Sequence, residues 1–127
     1  MPVEASACSV VYSAIDRTHA AEWRRAREAV KNADVMMDAE VIRPFIRGKQ
    51  TALLKAHRIF KGPSQETFEV DAPDSCALEF DREGERSRVF LRNGPGAYVA
   101  WDTGLNWQVD KLLGSDRRKD WPFVAGN

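Results

Sequence analysis

The sequence is poor in cysteine and histidine, with two of each in 127 residues. Two cysteines cannot build the dense framework of a small disulfide scaffold. Cys8 and Cys76 allow a single bridge in an oxidising compartment and remain thiols in a reducing one. Nor do two histidines make a metal centre: His19 and Glu22 lie one helical turn apart, but no third ligand stands nearby, and His57 sits between Lys55 and Arg58 as a strand-face residue. No sign of charge dominates. The 19 Lys and Arg balance 19 Asp and Glu, which argues against a general nucleic-acid or membrane-surface partner. No apolar run approaches the ~20 residues of a membrane-spanning helix. A Gly-rich phosphate loop, a nucleophile elbow and a zinc-type HExxH motif are also missing; "GPGA" at 94–97 lacks the lysine and the following helix. The expectation is therefore a non-enzymatic chain, with no catalytic residue, metal or cofactor assigned.

What is present has the size and balance of one globular domain over residues 1–127. "MPVE" has neither the basic nor the apolar region of a signal peptide, yet Ala5-Ser6-Ala7 has the small-x-small form of a processing site and Cys8 follows it. Residues 1–7 read either as a leader remnant or added start, or as a chance run of small residues. The arm "ACSVVYSAI" is apolar enough to pack as an extended segment. Asp16 or Thr18 then caps a helix over about 18–32. Ala20, Trp23, Arg27 and Val30, widened by Ala26, form its expected inner stripe; Glu22, Arg24, Arg25 and Glu28 face out.

From residue 33 the period changes to two. "ADVMMDAEVIRPF" puts Val35, Met37, Ala39 and Val41 on one face, with Asp38 and Glu40 on the other, the pattern of a half-buried strand whose second face meets solvent. "TALLKAHRIFKG", "QETFEVD", "SRVFLR" and "AYVAW" are four further strands, separated by turns that include "DREGER" and "NGPG". Asp81, Glu83 and Glu85 crowd that charged turn and read as solvated rather than calcium-binding. "NWQVDKLLG" is a short helix with Trp107 and Leu112 or Leu113 as contacts and Gly114 as its stop. Residues 115–127 form a charged tail. Five short strands with helices outside the run predict a mainly β fold, a five-stranded Greek-key barrel of the oligonucleotide/oligosaccharide-binding (OB) type. Such barrels bind single strands by stacking bases above a positive groove. Arg47, Lys49, Lys55, His57, Arg58 and Lys61, with Phe45 and Phe60, offer those residue types. The competing reading puts both phenylalanines in the core and the cations in solvent.

With the strands in order, the chain resembles the netrin-like domain shared by tissue inhibitors of metalloproteinases and their bacterial relatives. The resemblance rests on the early "ACS", the helix, "NADVMMDAEVIR", "LLKAHRIFKG" and "DSCALEFDREGERSRVFL", over roughly residues 8–113. It implies a disulfide between Cys8 and Cys76 that ties the arm to the turn before the fourth strand, and a secreted or periplasmic location. It implies a protein partner, with a metalloprotease as the special case, docked on a ridge of Cys8, Ser9, Val10 and Val11 with Asp74, Ser75 and Ala77. One departure stands out. The family's inhibitors begin Cys-x-Cys, whereas here Val10 occupies the second position, so protease inhibition is the weaker implication. A single-stranded nucleic-acid-binding barrel is the alternative function.

Overall fold

The computed structural model describes residues 18–71, 80–101 and 106–122. Helix α1 spans His19–Asn32. Strands follow at Val35–Arg43 (β1), Ala52–Lys61 (β2), Thr67–Asp71 (β3), Arg86–Arg92 (β4) and Tyr98–Trp101 (β5). Helix α2 is Asn106–Leu113 and a single turn, α3, is Arg117–Asp120. The strands close a barrel in the order β1-β2-β3-β5-β4. Every pairing is antiparallel except β3 with β5. This is the expected OB-type Greek key, flanked by an amino-terminal and a carboxy-terminal helix.

The inward face of β1 carries Val35, Met37, Ala39 and Val41, as the alternation predicts, and they meet Leu54, Phe68, Val70, Phe80, Val89 and Leu91 in the barrel core. The outward face differs from the expectation of a half-buried strand. Met36 and Phe90 on β1 and β4 pack against Ala26, Ala33 and Val109, with Val30, Phe60 and Leu113 at the margin. A second apolar layer thus lies between the barrel wall and the helices, and it buries Asp38 as well, to 1% exposure.

Thr18 caps α1, its hydroxyl accepting from the Ala21 amide at 3.3 Å. Arg24 and Glu28 are exposed as expected, but the buried stripe is rotated. Ala21 and Ala26 are the buried positions, Ala20 and Arg27 face solvent, and Trp23 is half-buried at the edge. A small residue at 26 brings the helix close to the wall, where Trp23 would hold it off; Trp23 instead meets the Trp107 ring edge-on at 5.6 Å. The helix ends where Lys61 Nζ donates to the carbonyls of Val30 and Lys31 at 3.1 and 2.7 Å. A cation there satisfies orphan carbonyls and complements the helix dipole.

Helix α2 is anchored by Val109, fully buried, rather than by Trp107, which is 55% exposed, or Leu112, also exposed. Gly114 ends it in the left-handed region (φ 66°), as its place after the last turn predicts. Val109→Ala should therefore lower unfolding free energy by about 1–3 kcal/mol. Trp107→Ala should cost no more than about 1 kcal/mol, the scale of one aromatic edge contact. Urea unfolding of both variants checks the order, and a larger loss for Trp107→Ala would contradict this packing.

Candidate functional site

Asp38 and Arg88 stand directly opposite each other in the β1–β4 ladder. Both point outward, beneath the carboxy-terminal helices. The Arg88 side chain is fully buried and bonds Asp38 in a fork, Nε to Oδ1 at 2.7 Å and Nη2 to Oδ2 at 3.1 Å. Its Nη1 donates to Asp110 of α2 at 2.6 Å and its Nη2 to the Ser115 hydroxyl at 2.9 Å, while the ring of Phe60 lies 4.8 Å away. Burial works against the Arg88 charge, but the bonds and charges of Asp38 and Asp110 outweigh it and raise the guanidinium above its ordinary pKa. Ser115 passes the network on, donating to Asp120 at 2.9 Å, and the Asp116 amide donates to the same oxygen at 2.9 Å. These two bonds, the Ser115 hydroxyl first, hold the Asp120 carboxyl below its usual value of 3.8.

The segment after Gly114, read from sequence as a tail, thus packs on the barrel as far as it is described, to residue 122. Trp121 Nε1 donates to the Ser87 carbonyl at 3.1 Å. Its ring lies 4.7 Å from His57 and 4.9 Å from the Arg86 guanidinium. Glu40 closes this outer cluster, 3.3 Å from His57 and 3.4 Å from Arg86. His57 is a strand-face residue held by a carboxylate and an indole.

On another part of the barrel, residues 44–51 connect β1 to β2 as a stiff hairpin. Ile46 and Gln50 exchange backbone bonds at 3.0 and 2.9 Å, and the Gln50 side chain donates to the Pro44 carbonyl at 2.7 Å. At the base, Arg43 donates to the Thr51 carbonyl and hydroxyl at 3.1 Å each, and the Thr51 hydroxyl donates to Glu69 at 2.6 Å. Phe45 folds onto the core, its amide donating to the Phe80 carbonyl at 2.7 Å. At the tip, Ile46 is 45% exposed. Arg47, Gly48 and Lys49 beside it are also exposed. A groove of about 650 Å³ runs between the tip and Glu69 and Asp71 of β3.

All of the residues expected in a docking ridge, Cys8, Ser9, Val10, Val11, Asp74, Ser75 and Ala77, lie outside the described residues, as does Cys76. The expected Cys8–Cys76 disulfide is corrected: among the described residues the structure holds no cysteine pair at disulfide distance. Of the other candidates, His19 accepts from Trp23 Nε1 at 3.0 Å, and Glu22 accepts from Gln108 at 3.5 Å. Asp81 and Glu83 are exposed while Glu85 is buried. Among the described residues no group of three or more His, Cys, Asp or Glu is placed to hold a metal ion. The basic-aromatic surface is dispersed, for Phe45 packs on the core and Phe60 on the second layer, with Arg58 4.5 Å from the Phe60 ring. Sequence reasoning missed Arg88, Asp110 and Ser115. The available signal was a pair of opposite charges, Asp38 and Arg88, each inside an apolar strand.

Arg88→Met should destabilise the fold by about 3–5 kcal/mol, because it leaves Asp38 charged and buried without a partner. Asp38→Leu combined with Arg88→Met should recover most of that loss, and the double-mutant cycle in urea measures the coupling. For Asp120 the sign follows from its lowered pKa. Its contribution is complete above about 3.8 and disappears as pH falls through the lower folded-state value. The stability gap between wild type and Asp120→Asn should be open near neutral pH and close in that acid range.

Comparison of the chain with family models, with curated proteins and with solved structures finds no match, so a functional reading rests on the barrel and the surfaces just described.

Proposed function

We propose that this chain is a non-enzymatic protein-binding module and that the β1–β2 hairpin is its docking element. The observation that carries the reading is the hairpin's construction: side-chain and backbone bonds hold residues 43–51 while an exposed Ile46 sits beside two cations at the tip. A pre-shaped loop loses little freedom on association, and an apolar centre with a charged rim is the common anatomy of a protein interface. The matching partner surface is an apolar pocket with acidic residues at its edge. The resemblance to netrin-like domains supports the same class, with a metalloprotease as one candidate partner. The Ala5-Ser6-Ala7 triplet supports a secreted or periplasmic setting. Single-strand binding has less support, because Phe45 and Phe60 are both engaged by the barrel's own packing.

The test is comparative capture from the native extracytoplasmic fraction, quantified by mass spectrometry. Proteins retained by the wild-type chain should fall by about tenfold or more with Ile46→Asp or Lys49→Glu, a loss on the scale of one interface hot spot. They should persist with Trp107→Ala. Equal capture by all variants would remove the hairpin from the interface. Tight binding of single-stranded DNA that weakens steeply with salt would instead establish the nucleic-acid reading.

A further inference from the structure

A cavity of about 650 Å³ opens between α2 and α3, away from the hairpin and independent of its proposed role. Trp107 and Asn106 line it from α2, and Arg117 and Arg118 from α3, with Asp110, Lys111 and Asp116 completing the charged part of the wall. Three of these groups are cations and two are carboxylates, but the carboxylates are already committed. Asp110 accepts from Arg88 at 2.6 Å and from the Arg117 amide at 3.4 Å. Asp116 accepts from the Arg118 amide at 2.9 Å as the cap of α3. The cations are much less engaged. Lys111 has the Trp107 ring at 5.8 Å, and Arg118, whose Nε lies 3.7 Å from Asp116 Oδ1, keeps a side chain that is 86% exposed.

Arg117 is the unusual member. Its Nε and Nη2 are buried, yet neither makes a hydrogen bond among the described residues. Nε lies 3.5 Å from Asp110 Oδ1, an ion-pair contact without hydrogen-bond geometry. Nε and Nη2 form the side-on fork of a guanidinium, which pairs with two oxygens of one oxyanion. Buried donors of this kind are ordinarily satisfied, and leaving a charged one unmade is costly. An acceptor in the cavity meets this fork only once the guanidinium turns toward it, and the turn gives up only the 3.5 Å contact with Asp110, whose shorter bond goes to Arg88.

We propose that this cavity is a binding site for a small organic oxyanion, a carboxylate or phosphate ester with a flat apolar body. The oxyanion takes the Arg117 fork, Lys111 and Arg118 attract it at the rim, and the body lies against the Trp107 indole. Neither the barrel topology nor the hairpin reading assigns this site.

The test is an NMR titration of the full chain with benzoate and with phenyl phosphate, following the Trp107 indole and Arg117 Nε–H resonances. Both ligands should saturate the same resonances at low millimolar concentration or below, and neutral benzamide should not. Arg117→Lys keeps the charge but loses the fork, and should weaken benzoate by about tenfold. Lys111→Gln, at an exposed position that leaves the fold intact, should weaken both ligands by a few-fold, and more at low salt. Saturation by phenyl phosphate alone would still support an oxyanion site and would identify the headgroup. Benzamide binding as well as benzoate, unchanged affinity in both variants, or no saturation by either anion would overturn the proposal.

Discussion

One guanidinium in the barrel wall holds the molecule's parts in relation. Asp38 and Arg88 face each other across β1 and β4, and Glu40 and Arg86 form the next rung on the same face. A slip of one residue would turn Asp38 into the barrel and present Met37 or Ala39 in its place. A buried ion pair is weak evidence of stability, since desolvation offsets most of its attraction. Its effect here is to penalise wrong registers. The remaining donors of Arg88 then fix a second choice, because only the seated α2–Ser115 segment brings Asp110 and Ser115 within 2.6 and 2.9 Å.

That choice divides the barrel's surface. The outer faces of β1 and β4 become an inner layer, roofed by α1 and α2 through Ala26, Ala33 and Val109. Trp121 extends the cover toward β2, donating to the Ser87 carbonyl and lying against His57. Among the described residues nothing roofs the β1–β2 hairpin and the adjoining part of β3, and Ile46 is exposed at the tip. The proposed docking element is thus set by where the charge network seats the helices.

The barrel was legible because its signals are local and repeated. Alternation in "VMMDAEV" identified the inward residues of β1, and turn residues separated five strands in the right order. Thr18 and Gly114 marked helix ends through their own chemistry. What was not legible depended on contacts between distant segments. Alternation placed Asp38 in solvent because a period of two cannot tell a solvent face from one roofed by a helix. The choice of Trp23 followed from helical spacing and that of Trp107 from its apolar character, whereas close approach of helix to wall selects Ala26 and Val109. The segment after Gly114 looked like a tail because Arg117, Arg118 and Asp120 are charged, and nothing local showed that Ser115 and Trp121 would find partners on the barrel. The residues expected to form the docking ridge were tied to the resemblance, and all of them lie outside the described residues.

The stiffness of the hairpin has its origin in the barrel core. Phe80 adopts a left-handed backbone (φ 52°) that bulky side chains rarely take, and its carbonyl receives the Phe45 amide. Such a conformation costs roughly 1–2 kcal/mol for a residue other than glycine. Fully burying a phenylalanine returns about 1.5–3 kcal/mol, so the larger side chain prevails over the glycine that the backbone alone would favour. With Phe80 fully buried, the carbonyl it presents is fixed in place, and Phe45 is fixed with it. The hairpin base therefore has the rigidity of the core, and freedom is left only to the side chains at the tip. An interface built this way gains selectivity from the hairpin's shape, because a partner that requires the loop to rearrange would also have to disturb the Phe80 packing.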